Sequence, residues 1–218
     1  EKELRLLKSL KNNLADGLIL VSITLTERHL AEINKGGCPV AISGISNNWL
    51  SDSQTNFDYV GVDTLEGSYL STKHLIDQGH EKIGYVGLPL KNRTWDERFE
   101  GYRKAMKEAD LPIYEQYVYT GGYKESFGYE AGLQFSKLGD LPTAICATSD
   151  LIVIGLYRAF EQMGIKIPDD ISIIGMDNID IDTLFKPKIS SVSIAQADIG
   201  RTAAELILKR INGYKGPD

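Results

Sequence analysis

The sequence predicts an α/β protein whose parallel sheets are covered by helices on both faces. Three observations predict it. Short apolar runs alternate with amphipathic helical stretches along the chain, the runs themselves are nearly continuous in apolar residues, and turn formers punctuate the junctions. A strand buried on both faces needs such a run, whereas a strand with one wet face would alternate apolar and polar residues.

The runs read as strands are Gly17–Ser22, Pro39–Ser43, Tyr59–Val62, Lys82–Gly87, Tyr117–Tyr119, Ala144–Ala147, Ile171–Gly175 and Ser191–Ile194. Helical stripes follow at spacings of three and four: Phe99, Tyr102, Met106 and Ala109; Ile152, Leu156, Ala159, Phe160 and Met163; Ile199, Ala203, Leu206, Ile207 and Ile211. These stripes are core faces. Thr94 and Glu97 have the spacing of a capping box, with Thr94 as N-cap. Gly79 and Gly164 follow helical runs and suit the left-handed residue that ends a helix. Pro168-Asp169-Asp170 marks a turn before a strand.

Formal net charge is −6 and the isoelectric point about 5.2. Duplex binding needs clustered Lys and Arg to neutralise phosphates, so these residues alone are not expected to grip DNA. No apolar run approaches the roughly 18 residues of a membrane span, and Glu1-Lys2-Glu3 opens a charged helical stretch instead of a leader. Cys38 and Cys146 lie in or beside strands, far apart in sequence, and read as reduced thiols of a cytosolic protein. His29, His74 and His80 are scattered, so no metal ligand set is expected. Nucleophile-elbow, phosphate-loop and dinucleotide motifs are missing, and neither a catalytic group nor a cofactor is expected.

In open parallel sheets, ligands gather at the carboxyl ends of strands. The polar residues at those positions are Asp63; Asn92, Arg93, Thr94, Trp95, Asp96 and Arg98; Tyr123; Thr148, Ser149 and Asp150; Asp177 and Asn178; and Gln196. Arg, Asp, Asn and Gln present two-pronged hydrogen-bonding groups that match adjacent sugar hydroxyls, and an aromatic ring can cover the apolar face of a sugar. Structural alternatives stand beside each. Thr94, Ser149 and Asp150 also read as helix caps, Arg98 as a surface ion-pair partner, Tyr123 as packing, Asp177 as a turn residue and Gln196 as a solvated cap. A carboxylate pair of Asp63 and Asp177 for glycoside chemistry is a further, less favoured reading.

Four ordered segments resemble the lactose/galactose repressor (LacI/GalR) family. They are Gly61-Val62-Asp63 through Gly87; Arg98-Phe99-Glu100-Gly101-Tyr102 with Ala105-Met106; Thr148-Ser149-Asp150 through Ile167-Pro168-Asp169-Asp170 to Asp177; and Ile189 to Gln196. The resemblance covers nearly the whole chain. It implies a periplasmic-binding-protein-like clamshell of two doubly wound parallel-sheet lobes. One lobe would be residues 1–62 plus 195–218 and the other 63–194. It further implies a sugar or related effector held by Thr94, Arg98, Tyr123, Ser149, Asp177 and Gln196. It implies lobe closure, a homodimer, and operator DNA read by a helix-turn-helix module preceding Glu1. The family's first strand before Glu1 and last crossing strand after Asp218 lie outside these residues, so the fragment alone is expected to be poorly stable. One departure concerns the effector. Many sugar-binding members carry an acid after the second strand, where this chain has Ser43-Gly44-Ile45. That leaves room for a modified sugar or a nucleobase-like ligand. A periplasmic sugar-binding protein of a transport system, and a sugar hydrolase or kinase, are the alternatives.

Overall fold

A computed structural model describes residues 4–5, 7, 15–21, 26–35, 38–45, 57–87 and 93–215, with the side chains of residues 44, 45, 93–96 and 182 outside the description. The chain divides into two compact units, Glu1–Val62 with Ala195–Asp218, and Asp63–Ile194.

In the first unit, β1 (Leu18–Val21), β2 (Val40–Ile45) and β3 (Asp58–Val62) pair in parallel in the order β1-β2-β3. Helix α1 (Glu27–Asn34) follows β1. Its N-cap Thr26 exchanges hydrogen bonds with His29, whose Nδ1 lies 3.2 Å from the Thr26 amide. Side chains alternate across the sheet. Val40 and Ile42 pack with Leu7 and Ile33 on one face, while Ala41 packs with Ala203 and Ile207 of α6 (Gln196–Ile211) on the other. Arg210 of α6 grips Asp58 of β3 in a two-pronged ion pair, with Nε 2.8 Å from Oδ2. This charge-assisted fork fixes the returning helix on its sheet.

The second unit holds a parallel sheet in the order β5-β4-β6-β7-β8, comprising β4 (Ile83–Gly87), β5 (Val118–Thr120), β6 (Ala144–Ala147), β7 (Ser172–Asp177) and β8 (Ser190–Ser193). Helices α2 (Thr64–Asp77) and α3 (Arg93–Glu108) pack as one pair, α4 (Glu125–Phe135) and α5 (Asp150–Gln162) as another. Alternation divides the central strands β4, β6 and β7 between two cores. Ile83, Tyr85, Ala144, Cys146 and Ile174 meet Leu75, Tyr102 and Met106. Val86, Ile145, Ala147 and Ile173 meet Phe135, Ile152, Leu156 and Phe160 on the opposite face. Both faces are dry, which is why these strands read as continuous apolar runs.

Each helix pair closes on glycine. A β-carbon at Gly101 would overlap the Leu65 carbonyl, and one at Gly155 the Glu125 carbonyl. Gly79 and Gly164 have φ of +91° and +71°, as expected of left-handed helix ends. Among the described residues no helix is long and apolar enough to cross a membrane. Helix α3 opens at Arg93, so Thr94 lies inside its first turn and not at the cap that its spacing with Glu97 predicts. Glu97 instead accepts a hydrogen bond from Thr64 Oγ1 at 3.1 Å, and burial raises its pKa.

Candidate functional site

After β4 the chain moves outward to β5, then returns across β4 to form β6. This reversal of direction is a topological switch point, and the carboxyl ends of β4 and β6 flank it. Helix α3 follows β4 and brings Arg98 there; the turn after β6 brings Thr148, Ser149 and Asp150. The order of strands, not proximity in sequence, thus assembles these groups.

Arg98 is 4% exposed, and its Nη1 donates to the Thr148 backbone carbonyl. The surface ion-pair alternative therefore does not describe it. Burial pulls the guanidinium pKa down, while the Asp177 carboxylate pushes it back up. Arginine remains a cation at any physiological pH. A buried, fixed cation of this kind can donate hydrogen bonds to a polar group placed beside it.

Asp177 ends β7 and has φ of +119°, and Asn178 after it has +53°. Positive φ is uncommon away from glycine and is retained where the surroundings enforce it. Burial raises the Asp177 pKa to about 6; Arg98 opposes that rise and Asp150 adds to it. Desolvation outweighs the attraction of the neighbouring cation.

The turn after β7 meets Asp150, which is fully buried at the first turn of α5. Its Oδ1 accepts from Ser191 Oγ at 2.7 Å and its Oδ2 from the Ile179 amide at 3.2 Å. Ser191 Oγ in turn accepts from the Asn178 amide at 3.0 Å. Sequence reasoning reads Asp150 as a strand-end polar group or a helix cap, not as a tether to the turn after β7. Its partners are distant in the chain, so no local spacing announces them. Asp63, the other carboxylate considered for acid–base chemistry, caps α2 by accepting from the Glu66 amide at 2.9 Å.

Ser149 is the N-cap of α5 and accepts from the Ile152 amide at 3.4 Å. Its hydroxyl also lies 3.4 Å from the Tyr123 carbonyl, tethering the turn after β5 to the turn after β6. The Tyr123 side chain is 41% exposed, so it is available to a ligand and is not core packing. Of the six residues singled out from the sequence, Tyr123 and Ser149 follow strands of the second unit, Asp177 ends one, and Arg98 reaches the end of β6 from α3 through the Thr148 carbonyl. The Thr94 side chain lies outside the described residues. Gln196 belongs to the first unit, where it is exposed and opens α6 after Ala195 in the left-handed conformation. The arrangement offers one buried cation and one carboxylate whose charges act on each other, groups that can donate to and accept from a polar ligand.

The chain matches the family described as "Periplasmic binding protein-like domain" over residues 72–218. It is 32% identical over 211 residues to the HTH-type transcriptional repressor PurR of Aliivibrio salmonicida, covering 97% of this chain and 62% of that protein. It is 30% identical over 213 residues to the catabolite control protein A of Priestia megaterium, covering 97% and 63%. The chain therefore spans about three fifths of the length of these relatives. Among solved structures, a regulatory protein of the LacI family from Chloroflexus aggregans superposes with a TM-score of 0.86 at 28% identity, over 98% of this chain and 75% of that one. A LacI family transcriptional regulator from Enterococcus faecium with bound ribose gives 0.81 at 28% identity, over 97% and 76%. Strand order and these likenesses agree: the chain belongs to the periplasmic-binding-protein-like family and is similar to LacI-family transcription regulators.

Proposed function

We propose that this chain is the effector-binding and dimerisation core of a cytoplasmic transcription regulator. The observation that carries the proposal is the buried Arg98 at the switch point, held on the Thr148 carbonyl within electrostatic reach of Asp177 at the end of β7. A sugar or a similarly functionalised metabolite fits that pair. Its hydroxyls or ring edges accept from the guanidinium and donate to the carboxylate, and Tyr123 supplies a stacking surface. Thr94 and Gln196 complete the proposed contact set. In this reading the chain acts by binding and not by turnover: Asp63 caps a helix, and both Asp150 oxygens accept protein hydrogen bonds.

In this reading the effector favours a closed state, as in hinge closure. In a homodimer, closure repositions the DNA-reading modules and alters operator affinity, and DNA reciprocally alters effector affinity. Likeness to transcriptional repressors at 32% identity over most of the chain favours a regulator over a transport protein.

A thermal-shift screen against sugars, sugar phosphates and purines tests the proposal. A ligand at 100 times its dissociation constant adds about 2.7 kcal/mol, a rise of roughly 5–10 °C for a chain of this size. A stabilising ligand that also changes operator affinity is the expected result. A ligand that is chemically converted on incubation would overturn the binding-only reading.

A further inference from the structure

We infer that Asp150 is a positioning residue for the effector site: through Ser191 and the Ile179 amide it holds the turn that presents Asp177. The inference rests on the reading of Asp177 as an effector contact, but its geometry stands apart from any ligand.

The helix-cap role does not account for Asp150. Ser149 already caps α5, and both Asp150 oxygens accept from partners outside that helix. They point across the sheet, to residues 29 and 41 positions away in the chain. A β-carbon at Gly175 would overlap Asp150 Oδ1, so glycine in β7 lets the carboxylate lie against the strand. Consecutive tethers follow along the turn. Asn178 donates to Ser191 Oγ, Ile179 to Asp150 Oδ2, and Ser191 Oγ to Asp150 Oδ1. The two residues at positive φ, Asp177 and Asn178, sit immediately before and within these tethers. A turn in that conformation relaxes unless its surroundings over-determine it. The charged groups facing Asp177 among the described residues are Arg98 from α3 and Asp150 from α5. Asp150 therefore acts on Asp177 twice, by geometry through the tethers and by charge through space.

The two effects separate by substitution. Asp150→Asn keeps the shape but removes the charge and turns one acceptor into a donor. Ser191→Ala removes a tether and leaves the charge. In the intact protein, Asp177 is titrated by carboxyl carbon-13 resonance and the Asn178 and Ile179 amides are followed by hydrogen exchange, with no effector required. The unsubstituted protein should titrate near 6. Asp150→Asn should lower that midpoint by about one pH unit and speed Ile179 exchange by about tenfold or more. Ser191→Ala should speed Asn178 exchange to a similar degree and leave the Asp177 midpoint in place. An unmoved midpoint in Asp150→Asn, or acceleration spread evenly over β7 and α5, overturns the inference. If Asp150→Asn does not fold, unchanged Asn178 exchange in Ser191→Ala overturns it instead. Effector affinity of Asp177→Asn tests the underlying functional reading separately, because neither variant above alters the Asp177 side chain itself.

Discussion

Arg98, on the helix that follows β4, donates from Nη1 to the backbone carbonyl of Thr148 at the end of β6. One buried side chain thereby ties together the elements that leave the two strands flanking the switch point. It does so with a cation, beside the Asp177 carboxylate.

Removing that cation should be felt first by Asp177. In Arg98→Met the attraction that opposes desolvation is gone. The Asp177 midpoint should then rise above the value of about 6 in the unsubstituted protein, and carboxyl resonance titration reads it directly. A midpoint that stays or falls contradicts the proximity of the two groups.

Asp177 should also cost the fold stability at neutral pH. Its folded pKa of about 6 lies above the unfolded value of about 3.9. Between those values the native state holds more protons than the unfolded state, so stability falls as pH rises through that window and stays reduced above it. Asp177→Asn, which cannot ionise, should raise the unfolding free energy at pH 7.5 by an amount on the order of 2 kcal/mol. At pH 4 the gain should vanish. Urea unfolding at the two pH values checks both the size and the sign.

Two glycines in helices should respond in opposite directions to alanine. Gly155 lies where α5 meets the Glu125 carbonyl of α4, so Gly155→Ala should destabilise by about 1–3 kcal/mol through forced separation of the helices. Gly200 of α6 is exposed, and open space surrounds the position that a β-carbon would take there. Gly200→Ala should therefore stabilise by about 0.5–1 kcal/mol. Thermal unfolding of the two variants distinguishes packing from backbone entropy.

Ser149 serves both as a cap and as a tether. Ser149→Ala should cost about 1 kcal/mol through the lost cap. It should also release the turn bearing Tyr123, seen as faster hydrogen exchange in residues 121–124. A stability loss without any change in that turn would leave the cap as its whole role.

Much of the architecture is legible in the sequence because the central strands of the second sheet are buried on both faces, so apolar runs such as Lys82–Gly87 and Ala144–Ala147 stand out. Helices α2 and α4 are harder to read. Their buried faces carry Thr64, Ser68, Ser71 and Thr72, and Gly128, Ala131 and Gly132. Small and hydroxylated residues let paired helices approach closely, and the same choice erases the apolar stripe that announces a helix. The final stripe errs in the other direction: Ile211 keeps helical spacing with Ile207 but is 43% exposed near the end of α6. At the site, Arg98 and Asp177 are visible as strand-end groups, since that rule depends only on strand boundaries. The Asp150 contacts are not, because each depends on which strands become neighbours in the sheet.

The most direct measurement is calorimetric titration of the intact protein and of Arg98→Ala with the ligand that the stability screen selects, circular dichroism confirming that both are folded. The account predicts saturable binding by the unsubstituted protein, weakened by at least about tenfold in the variant through loss of a charge-assisted hydrogen bond. Equal affinity in a folded Arg98→Ala protein would contradict it, and would move the effector site away from the switch point.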